Sequence, residues 1–413
     1  MKYKRIFVIV MDSAGIGAMK DADKFGDAGT NTWVHTSERC GGLDIPTINA
    51  LGIGDLGKVV GSSVVSHPHA YSLILNEASN GKDTMTGHWE MMGILTTKPF
   101  KTFTDTGFPK ELIDELEEKT GRKIIGNIAA SGTEIIKQLG EEQMKTGALI
   151  VYTSADSVLQ IAAHESIIPL NELYKDCEIA RDICMRPEYL LGRIIARPYV
   201  GDNKDNFKNY LSSLNSIHES NNSSTLNYID SYFYNSIING TTAMNILKDA
   251  GYEVSCVGKI NDIFNGAGVT RTQRTISNND GMDKTIEEAK KDYKGLCFVN
   301  LVEFDSEYGH RRNPIGYGKA IEDFDKKLKV LLETINDDDL VMITADHGND
   351  PTHTGTDHTR EHVPLLCYSK SIVDGRQLNE RNTFADIGAT ILENFGLKKA
   401  SNMIGEPIEE LLK

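Results

Sequence analysis

Acidic residues and histidines are concentrated in two short segments near the end of the chain. Five of the eleven histidines lie between His310 and His362. The two clusters are DSEYGH (Asp305–His310) and ADHGNDPTHTGTDH (Ala345–His358). Carboxylate oxygens and imidazole nitrogens, without thiolates, suit Mn²⁺, Zn²⁺ or Mg²⁺ rather than a soft metal. Two such ions about 3.5–4 Å apart stabilise the attacking and leaving oxygens in phosphoryl transfer. The clusters therefore predict a two-metal phosphoryl-transfer site.

An isolated Asp–His pair is more often solvated, or anchors a loop, than it binds a metal. Here three aspartates and three histidines follow apolar segments that read as strands, which favours the metal-site interpretation. The six candidate ligands are Asp12, Asp305, His310, Asp346, His347 and His358. His353 and His362 are evenly balanced between the two interpretations, because each lies beside a stronger candidate.

Thr84 is the candidate nucleophile, in the segment ASNGKDTMTGHWEMMG (Ala78–Gly93). A threonine hydroxyl is a weak nucleophile unless coordination or a base removes its proton. Taken alone, Thr84 is also typical of a helix N-cap, because a polar stretch and then an apolar run follow it. The two interpretations are compatible, since a helix N-terminus favours an incoming phosphate.

Short apolar runs that end in polar residues predict the strands that position these side chains. They are Arg5–Met11 before Asp12, Ala148–Tyr152 before Asp156, Glu253–Val257 before Lys259, Leu296–Phe304 before Asp305, and Leu340–Thr344 before Asp346. Helical segments alternate with them, at Pro109–Thr120, Thr133–Leu139, Ala243–Ala250, Tyr317–Asn336 and Thr383–Phe395. This alternation predicts an α/β, doubly wound fold, in which ligands bind beyond the carboxyl ends of the strands.

Composition and charge bound the class of protein. A length of 413 residues suggests two or three domains, at roughly 150 residues each. The net charge of −15 argues against a nucleic-acid partner, although a bound cation can still dominate the field around a small anionic substrate. No obligate protein partner is evident.

The apolar run near the N-terminus is too short for a signal peptide, and no run approaches the ~20 apolar residues of a membrane span. The cysteines show no CxxC spacing and three lie in strand-like runs, so we expect buried free thiols and a cytoplasmic location.

One segment breaks the α/β pattern. Between Asn203 and Asn239, 17 of 37 residues are Asn or Ser, although aromatic residues, among them Tyr228, Tyr232, Phe233 and Tyr234, also lie there. We expect a surface excursion or a partly disordered loop there.

Six longer motifs resemble one known family, phosphopentomutase, within the alkaline phosphatase superfamily. They are KDTMTGHWEMMG (Lys82–Gly93), GNIAASGTEII (Gly126–Ile136), YTSADSVLQIAAHE (Tyr152–Glu165), LGRIIARPYVG (Leu191–Gly201), NLVEFDSEYGHRRNP (Asn300–Pro314) and TADHGNDPTHTGTDHTREHVP (Thr344–Pro364). They span nearly the whole chain in the family's order. The ASGT and TSADS motifs belong to this mutase rather than to the superfamily at large.

The resemblance implies an alkaline-phosphatase-like core of residues 1–97 and 237–413, with an inserted smaller α/β cap of residues 98–236 that binds substrate. It implies an isomerase that interconverts α-D-ribose 1-phosphate, or 2-deoxyribose 1-phosphate, and the 5-phosphate. Family members use two Mn²⁺ ions and a phosphothreonine that glucose 1,6-bisphosphate or a similar sugar bisphosphate primes. The ligand types alone would equally suit Zn²⁺ or Mg²⁺.

Carried over residue by residue, the resemblance assigns roles to the site. Asp12, Asp346 and His347 would hold one metal, and Asp305, His310 and His358 the other. Thr84 would be the phosphorylated threonine between them. The assigned substrate-binding residues are Asp156 for the sugar and Arg193 and Lys259 for the distal phosphate.

Two stretches depart from the family pattern. Met85 replaces the second threonine of KDTTTGHWE, while Thr84 is kept. After Gly201 the family's Arg-rich RTPNRxDY stretch is missing, and NFKNYLSS (206–213) stands in its place. Lys208 would substitute for the missing arginine, but only as a point charge rather than a bidentate fork. This difference leaves a hydrolase open as the second hypothesis. A catalytically idle metal-binding scaffold is disfavoured, because Thr84 and all six candidate ligands are present.

Overall fold

The computed structural model describes residues 1–154, 157–209, 233–235 and 240–413. The chain forms two compact units, one of Met1–Pro99 with Ile238–Lys413 and one of Phe100–Ile237. The roles of catalytic core and substrate-binding cap stay predictions. Asp156 lies outside the described residues, as does most of the Asn/Ser-rich segment 203–239.

The described elements alternate along the chain. The strands are β1 (Arg5–Met11), β2 (Ala70–Leu75), β3 (Ile124–Ala129), β4 (Leu149–Thr153), β5 (Val158–His164), β6 (Arg193–Val200), β7 (Lys208–Asn209), β8 (Phe233–Asn235), β9 (Glu253–Val257), β10 (Arg271–Gln273), β11 (Gly295–Leu301), β12 (Asp339–Thr344) and β13 (Val363–Tyr368). The α-helices are α1 (Thr32–Cys40), α2 (Pro46–Asn49), α3 (Thr84–Met91), α4 (Lys110–Thr120), α5 (Gly132–Thr146), α6 (Leu170–Cys184), α7 (Ala243–Asp249), α8 (Ile260–Ile263), α9 (Asn278–Ala289), α10 (Pro314–Thr334), α11 (Asp386–Asn394) and α12 (Glu409–Leu412). Ala22–Phe25 and Ile53–Asp55 form 3₁₀ turns.

The first unit is built on a seven-stranded sheet in the order β10-β9-β11-β1-β12-β13-β2. The five strands from β10 to β12 are parallel, and β13 and β2 continue the sheet antiparallel. Every residue of β1, β11 and β12 is buried. Continuous burial of this kind requires cover on both faces of the sheet, as the apolar runs predict. The predicted α/β architecture is therefore confirmed.

The second unit has its own sheet, β3-β4-β5-β6-β7, with β8 paired to β6. Successive residues of β4 point to opposite faces. Leu149 and Val151 join a core cluster with residues of α4 and α6, whereas Ile150 and Tyr152 join a second cluster with residues of α5. Helices thus cover both faces of this sheet as well.

The central strands explain how distant acidic residues meet. β11, β1 and β12 are parallel neighbours, with Val10 level with both Asn300 and Thr344. Their carboxyl ends therefore open at one edge of the sheet. Asp12 directly follows β1, and Asp346 comes two residues after β12.

Several predicted boundaries differ from the observed ones; the helix expected over Thr133–Leu139, for example, spans Gly132–Thr146. The strand expected over Leu296–Phe304 ends at Leu301, and Phe304–Gly309 forms a π-helical turn. π-Helical turns are rare in proteins, and many of those that occur lie at functional sites. This turn carries Asp305. Among the described helices, none is long and apolar enough to cross a membrane.

Candidate metal centre

The first group of candidate ligands comprises Asp12, Asp346 and His347. One donor atom from each of the three lies within 4.8 Å of the others, and all three residues are buried. The His347 Nε2 is 3.5 Å from Asp12 Oδ1 and 3.3 Å from Asp346 Oδ2. Nδ1 of His347 faces its neighbour's carbonyl, Gly348 O, at 3.0 Å. That contact directs Nε2 towards the carboxylates.

The second group comprises Asp305, His358 and again His347, with donor atoms within the same 4.8 Å limit. His310 adjoins this group, because its Nε2 is 2.9 Å from Asp305 Oδ2. The His358 Nε2 is 3.5 Å from the same oxygen. The imidazole rings of His347 and His358 are 4.1 Å apart between centroids. The structure thus brings all six predicted ligands together, with His347 common to both groups.

The cluster places three buried aspartate carboxylates close together, and their negative charges shift the pKa values of the neighbouring groups. Burial and the carboxylates of Asp346 and Asp305 raise the pKa of Asp12 to about 7. Burial disfavours a charged His347, yet the carboxylates of Asp346, Asp305 and Asp12 raise the pKa of that imidazole to about 9. Burial also acts to raise the pKa of Asp305, but the charges of His310 and His358 hold it well below its usual value.

A divalent cation fits this donor set. Oδ1 of Asp12 is buried and accepts no hydrogen bond from any residue that the structure describes, whereas buried polar atoms normally have a partner. The carboxylate–imidazole set around it is one that Mn²⁺, Zn²⁺ or Mg²⁺ binds. Cations would supply the positive charge that a protonated His347 otherwise provides.

Thr84 begins helix α3 beside this cluster. Its Oγ1 is 3.2 Å from His347 Nε2. The N-cap is Asp83, not Thr84: the Asp83 carboxylate accepts hydrogen bonds from the backbone N–H groups of Met85 and Thr86, each at 3.1 Å. Asp83 therefore already occupies the N–H groups that were expected to favour a phosphate. Its negative charge also offsets the positive potential of the helix N-terminus.

The approach of α3 to the metal ligands depends on Gly87. A Cβ at this position would lie 2.1 Å from the backbone oxygen of Asp346. Only glycine permits this contact without a backbone shift. The helix is consequently packed directly onto the segment that carries Asp346 and His347.

His88 and Asn300 were missed in the sequence, although both contact candidate ligands. The His88 Nδ1 is 2.8 Å from Thr84 O and 3.1 Å from Asp346 Oδ2. Asn300 donates to Asp12 Oδ2 at 2.8 Å, and its Nδ2 is 3.3 Å from His88 Nε2. One signal was available for Asn300, a polar residue within the buried apolar strand β11. These two side chains connect Thr84 to both aspartates of the first group.

The loop that precedes Thr84 is held by the hydrogen bonds and ion pairs of charged residues. The Arg360 guanidinium donates to the Glu77 carboxylate and to the carbonyls of Glu77 and Gly81. Lys82 Nζ is 3.1 Å from carboxylate oxygens of both Asp27 and Asp357. Because Arg360 and Asp357 flank His358 closely in the chain, these contacts join the Thr84 loop to the ligand loop.

The remaining candidate residues lie outside the two groups. Lys259 is exposed just beyond the carboxyl end of β9. In the second unit, Arg193 begins β6, and Lys208 is an exposed residue of β7. His353 Nε2 is 3.9 Å from Asp27 Oδ1, and the backbone of His362 is bonded to the loop after β1. Neither histidine belongs to a ligand group among the described residues.

The fold, the types of candidate ligand and the match to a family model all indicate a metalloenzyme. The model of the metalloenzyme superfamily matches residues 4–399, so the chain belongs to that superfamily, whose members are alkaline-phosphatase-like. Membership implies that the protein binds divalent metal, and the two ligand groups are where it would do so.

Solved structures match this chain at low identity, two of the three described here over nearly its whole length. The PH0037 protein from Pyrococcus horikoshii is 13% identical, with 97% of this chain and 99% of that chain covered and a TM-score of 0.48. Phosphoglycerate mutase from Leishmania mexicana is 11% identical, with 98% and 97% covered and a TM-score of 0.46. A protein in the alkaline phosphatase superfamily from Vibrio parahaemolyticus is 19% identical over 42% of this chain and 51% of its own, with a TM-score of 0.33. Such values leave the activity of this chain open.

Proposed function

We propose that this protein is a phosphopentomutase that works through a phosphothreonine at Thr84. The observation that carries the proposal is the 3.2 Å distance from Thr84 Oγ1 to His347 Nε2. His347 is the residue common to both candidate ligand groups. A hydroxyl placed beside the shared residue of two metal groups is where a bridging nucleophile belongs.

The six clustered residues would hold two divalent cations, Mn²⁺ by resemblance. Asp12, Asp346 and His347 are assigned to one, and Asp305, His310 and His358 to the other. When bound, the cations polarise phosphoryl oxygens and lower the pKa of a coordinated hydroxyl. The chain's own contribution is to keep Thr84, at the start of α3, close to both groups.

The reaction then needs no external phosphate acceptor. A sugar bisphosphate first gives one phosphoryl group to the Thr84 hydroxyl and leaves as the sugar monophosphate. The phosphothreonine gives its phosphoryl group to the hydroxyl at C5 of the 1-phosphate, or at C1 of the 5-phosphate, and leaves the Thr84 hydroxyl behind, so a pentose 1,5-bisphosphate forms. The other phosphoryl group of that bisphosphate returns to Thr84, and the isomerised monophosphate leaves.

The choice of a pentose phosphate rests on the ASGT and TSADS motifs and on residue types. Arg193 and Lys259, with Lys208 in place of the missing arginine, are assigned to the distal phosphate. Asp156 is assigned to the sugar. We expect Asp156→Ala to weaken sugar turnover while the metal content of the protein stays unchanged; loss of metal in that variant would argue against this assignment.

A metal-dependent sugar-phosphate phosphatase is the second candidate. The observation in its favour is the replacement of the Arg-rich motif by NFKNYLSS after Gly201. A weaker hold on the distal phosphate would let water, rather than sugar, resolve the phosphothreonine.

Product analysis separates the two activities. The Mn²⁺-loaded protein, primed with glucose 1,6-bisphosphate, is incubated with ribose 5-phosphate and followed by phosphorus NMR. A mutase produces ribose 1-phosphate and keeps the total organic phosphate constant. Inorganic phosphate that accumulates without ribose 1-phosphate would contradict the proposal and establish the phosphatase. The same assay with 2-deoxyribose 5-phosphate reports the sugar preference.

A further inference from the structure

Arg312 adopts a backbone conformation that is unusual for its type. Its φ is 50°, in the left-handed region, at the turn between the π-helical Phe304–Gly309 and helix α10. This region is sterically unfavourable for a residue with a Cβ, and glycine is the residue that avoids the strain. The contacts of the Arg312 side chain offset that strain.

The guanidinium of Arg312 is surrounded by oxygen acceptors from the ligand loops. Nη1 donates to Gly309 O at 2.9 Å, to Asp350 O at 3.1 Å and to the side-chain oxygen of Asn349. Nη2 donates to Asp357 O at 2.9 Å. Nε donates to Gly355 O at 2.5 Å.

Three of these contacts are to residues that directly adjoin the ligands assigned to the second cation, two of them in the sequence and one through a hydrogen bond. Gly309 directly precedes His310, and Asp357 directly precedes His358. Asn349 donates through Nδ2 to Asp305 Oδ1 at 2.7 Å, so its side chain joins Arg312 to the third ligand. A single planar group therefore fixes the neighbours of Asp305, His310 and His358 at once.

We propose that Arg312 is a positioning residue that holds Asp305, His310 and His358 in the arrangement that binds one of the two divalent cations. The proposal rests on the metal binding assigned above but not on the identity of the substrate. A lysine cannot replace the guanidinium, because its three donors radiate from one atom and do not form a planar fork.

A direct role in binding a substrate phosphate is the competing role for this arginine. The five N–H groups of a guanidinium are its whole donor supply. The five protein acceptors above engage all three nitrogens of Arg312, with three acceptors sharing Nη1. Nε, Nη1 and one N–H of Nη2 are thus directed at the protein, which leaves at most one N–H, on Nη2, for a ligand and none of the paired donors that a bidentate arginine–phosphate contact needs.

The test is a titration of the metal-free full-length protein with Mn²⁺ by calorimetry, repeated for Arg312→Lys and Arg312→Gly. Arg312→Gly relieves the backbone strain while it removes the side chain, so a folding defect is separated from a binding defect. Arg311→Lys is the matched control, because Arg311 is exposed and, among the residues that the structure describes, forms its ion pair with Glu307, four positions earlier. Thermal unfolding of each metal-free variant reports its stability.

We expect two binding steps in the parent protein and in Arg311→Lys. Both Arg312 variants should weaken one step by about 10–100-fold and leave the other unchanged, as loss of a residue that orients metal ligands does. A Co²⁺-loaded sample of each should show an altered visible spectrum from one site only. Arg312 variants whose Mn²⁺ affinities match those of the parent at both steps would overturn the inference. Equal weakening of both steps would overturn it too. A parent protein that binds fewer than two ions would instead overturn the proposed function.

Discussion

Thr84 and His347 belong to segments 263 residues apart, yet the Thr84 hydroxyl lies 3.2 Å from the His347 imidazole. Two features produce this proximity. Gly87 lets α3 pack against the backbone of Asp346, and His88 contacts both the Thr84 carbonyl and the Asp346 carboxylate. Thr84, the proposed nucleophile, is therefore positioned by the same residue pair, Asp346 and His347, that would bind the cation.

Replacement of Gly87 by alanine should displace Thr84. The new Cβ would meet a backbone oxygen at 2.1 Å, which cannot move as a flexible side chain can. We expect a loss of about 1–3 kcal/mol in the free energy of unfolding, as for other overpacked sites, and slower phosphorylation of Thr84. Gly281→Ala in α9 is the matched control, because its Cβ would meet side-chain atoms rather than backbone, namely Leu301 Cδ2 at 2.8 Å and Thr275 Cγ2 at 3.5 Å. Equal unfolding and phosphorylation in the two variants would contradict the packing argument.

His88 should affect the rate of phosphoryl transfer more than the binding of substrate. In His88→Phe the ring volume is kept, but the contacts with Asp346 and the Thr84 carbonyl are lost. We expect kcat to fall about 10–100-fold with little change in KM, as when a contact behind a metal ligand is removed. His88→Asn, whose amide can replace the Nδ1 donor, should recover part of the loss. Steady-state kinetics at saturating Mn²⁺ test this, and a Phe variant with parental kcat would disprove it.

The stability of the metal-free protein should depend on pH through His347. Its pKa is about 9 in the folded protein against an ordinary value of 6.5, so the folded state binds the proton more tightly. The resulting stabilisation is present in full below pH 6.5 and is lost as the pH rises through about 9. The raised pKa of Asp12, about 7, acts in the same direction at lower pH.

Melting temperatures in the presence of a chelator should accordingly fall across that pH range. His347→Gln removes the titrating group and should flatten the curve above pH 7. In the parent, saturating Mn²⁺ should reverse the trend, because cation binding displaces the His347 proton. If the His347→Gln variant, measured with the chelator present, loses as much stability over this pH range as the parent, the effect comes from other groups.

The sequence was sufficient for features that depend on neighbouring residues. Continuous apolar runs predicted buried parallel strands, and the residues that follow them, such as Asp12 and Asp346, were placed at one sheet edge by that rule alone. The limits of local patterns appear at Phe304, where an apolar residue continues the strand pattern but the chain has already entered a π-helical turn. They appear again at Asp83, whose carboxylate takes the N-cap role that Thr84 alone suggested.

Contacts between distant segments could not be predicted in this way. His88 reads as an ordinary helical residue until Asp346, 258 positions later, lies beside it. Arg312 reads as a surface charge beside Arg311, and only the folded loops show that its guanidinium faces five oxygens. The roles of Arg193, Lys208, Lys259 and Asp156 in binding substrate stay predictions from motif resemblance.

The most direct test of the central claim is the site of phosphorylation. The metal-loaded protein is treated with glucose 1,6-bisphosphate, and its intact mass and digested peptides are measured beside those of Thr84→Ala and Thr86→Ala. We expect one added phosphoryl group, located on Thr84, in the parent and in Thr86→Ala, and none in Thr84→Ala. No added phosphoryl group in the parent, or the same addition in Thr84→Ala, would contradict transfer through this residue.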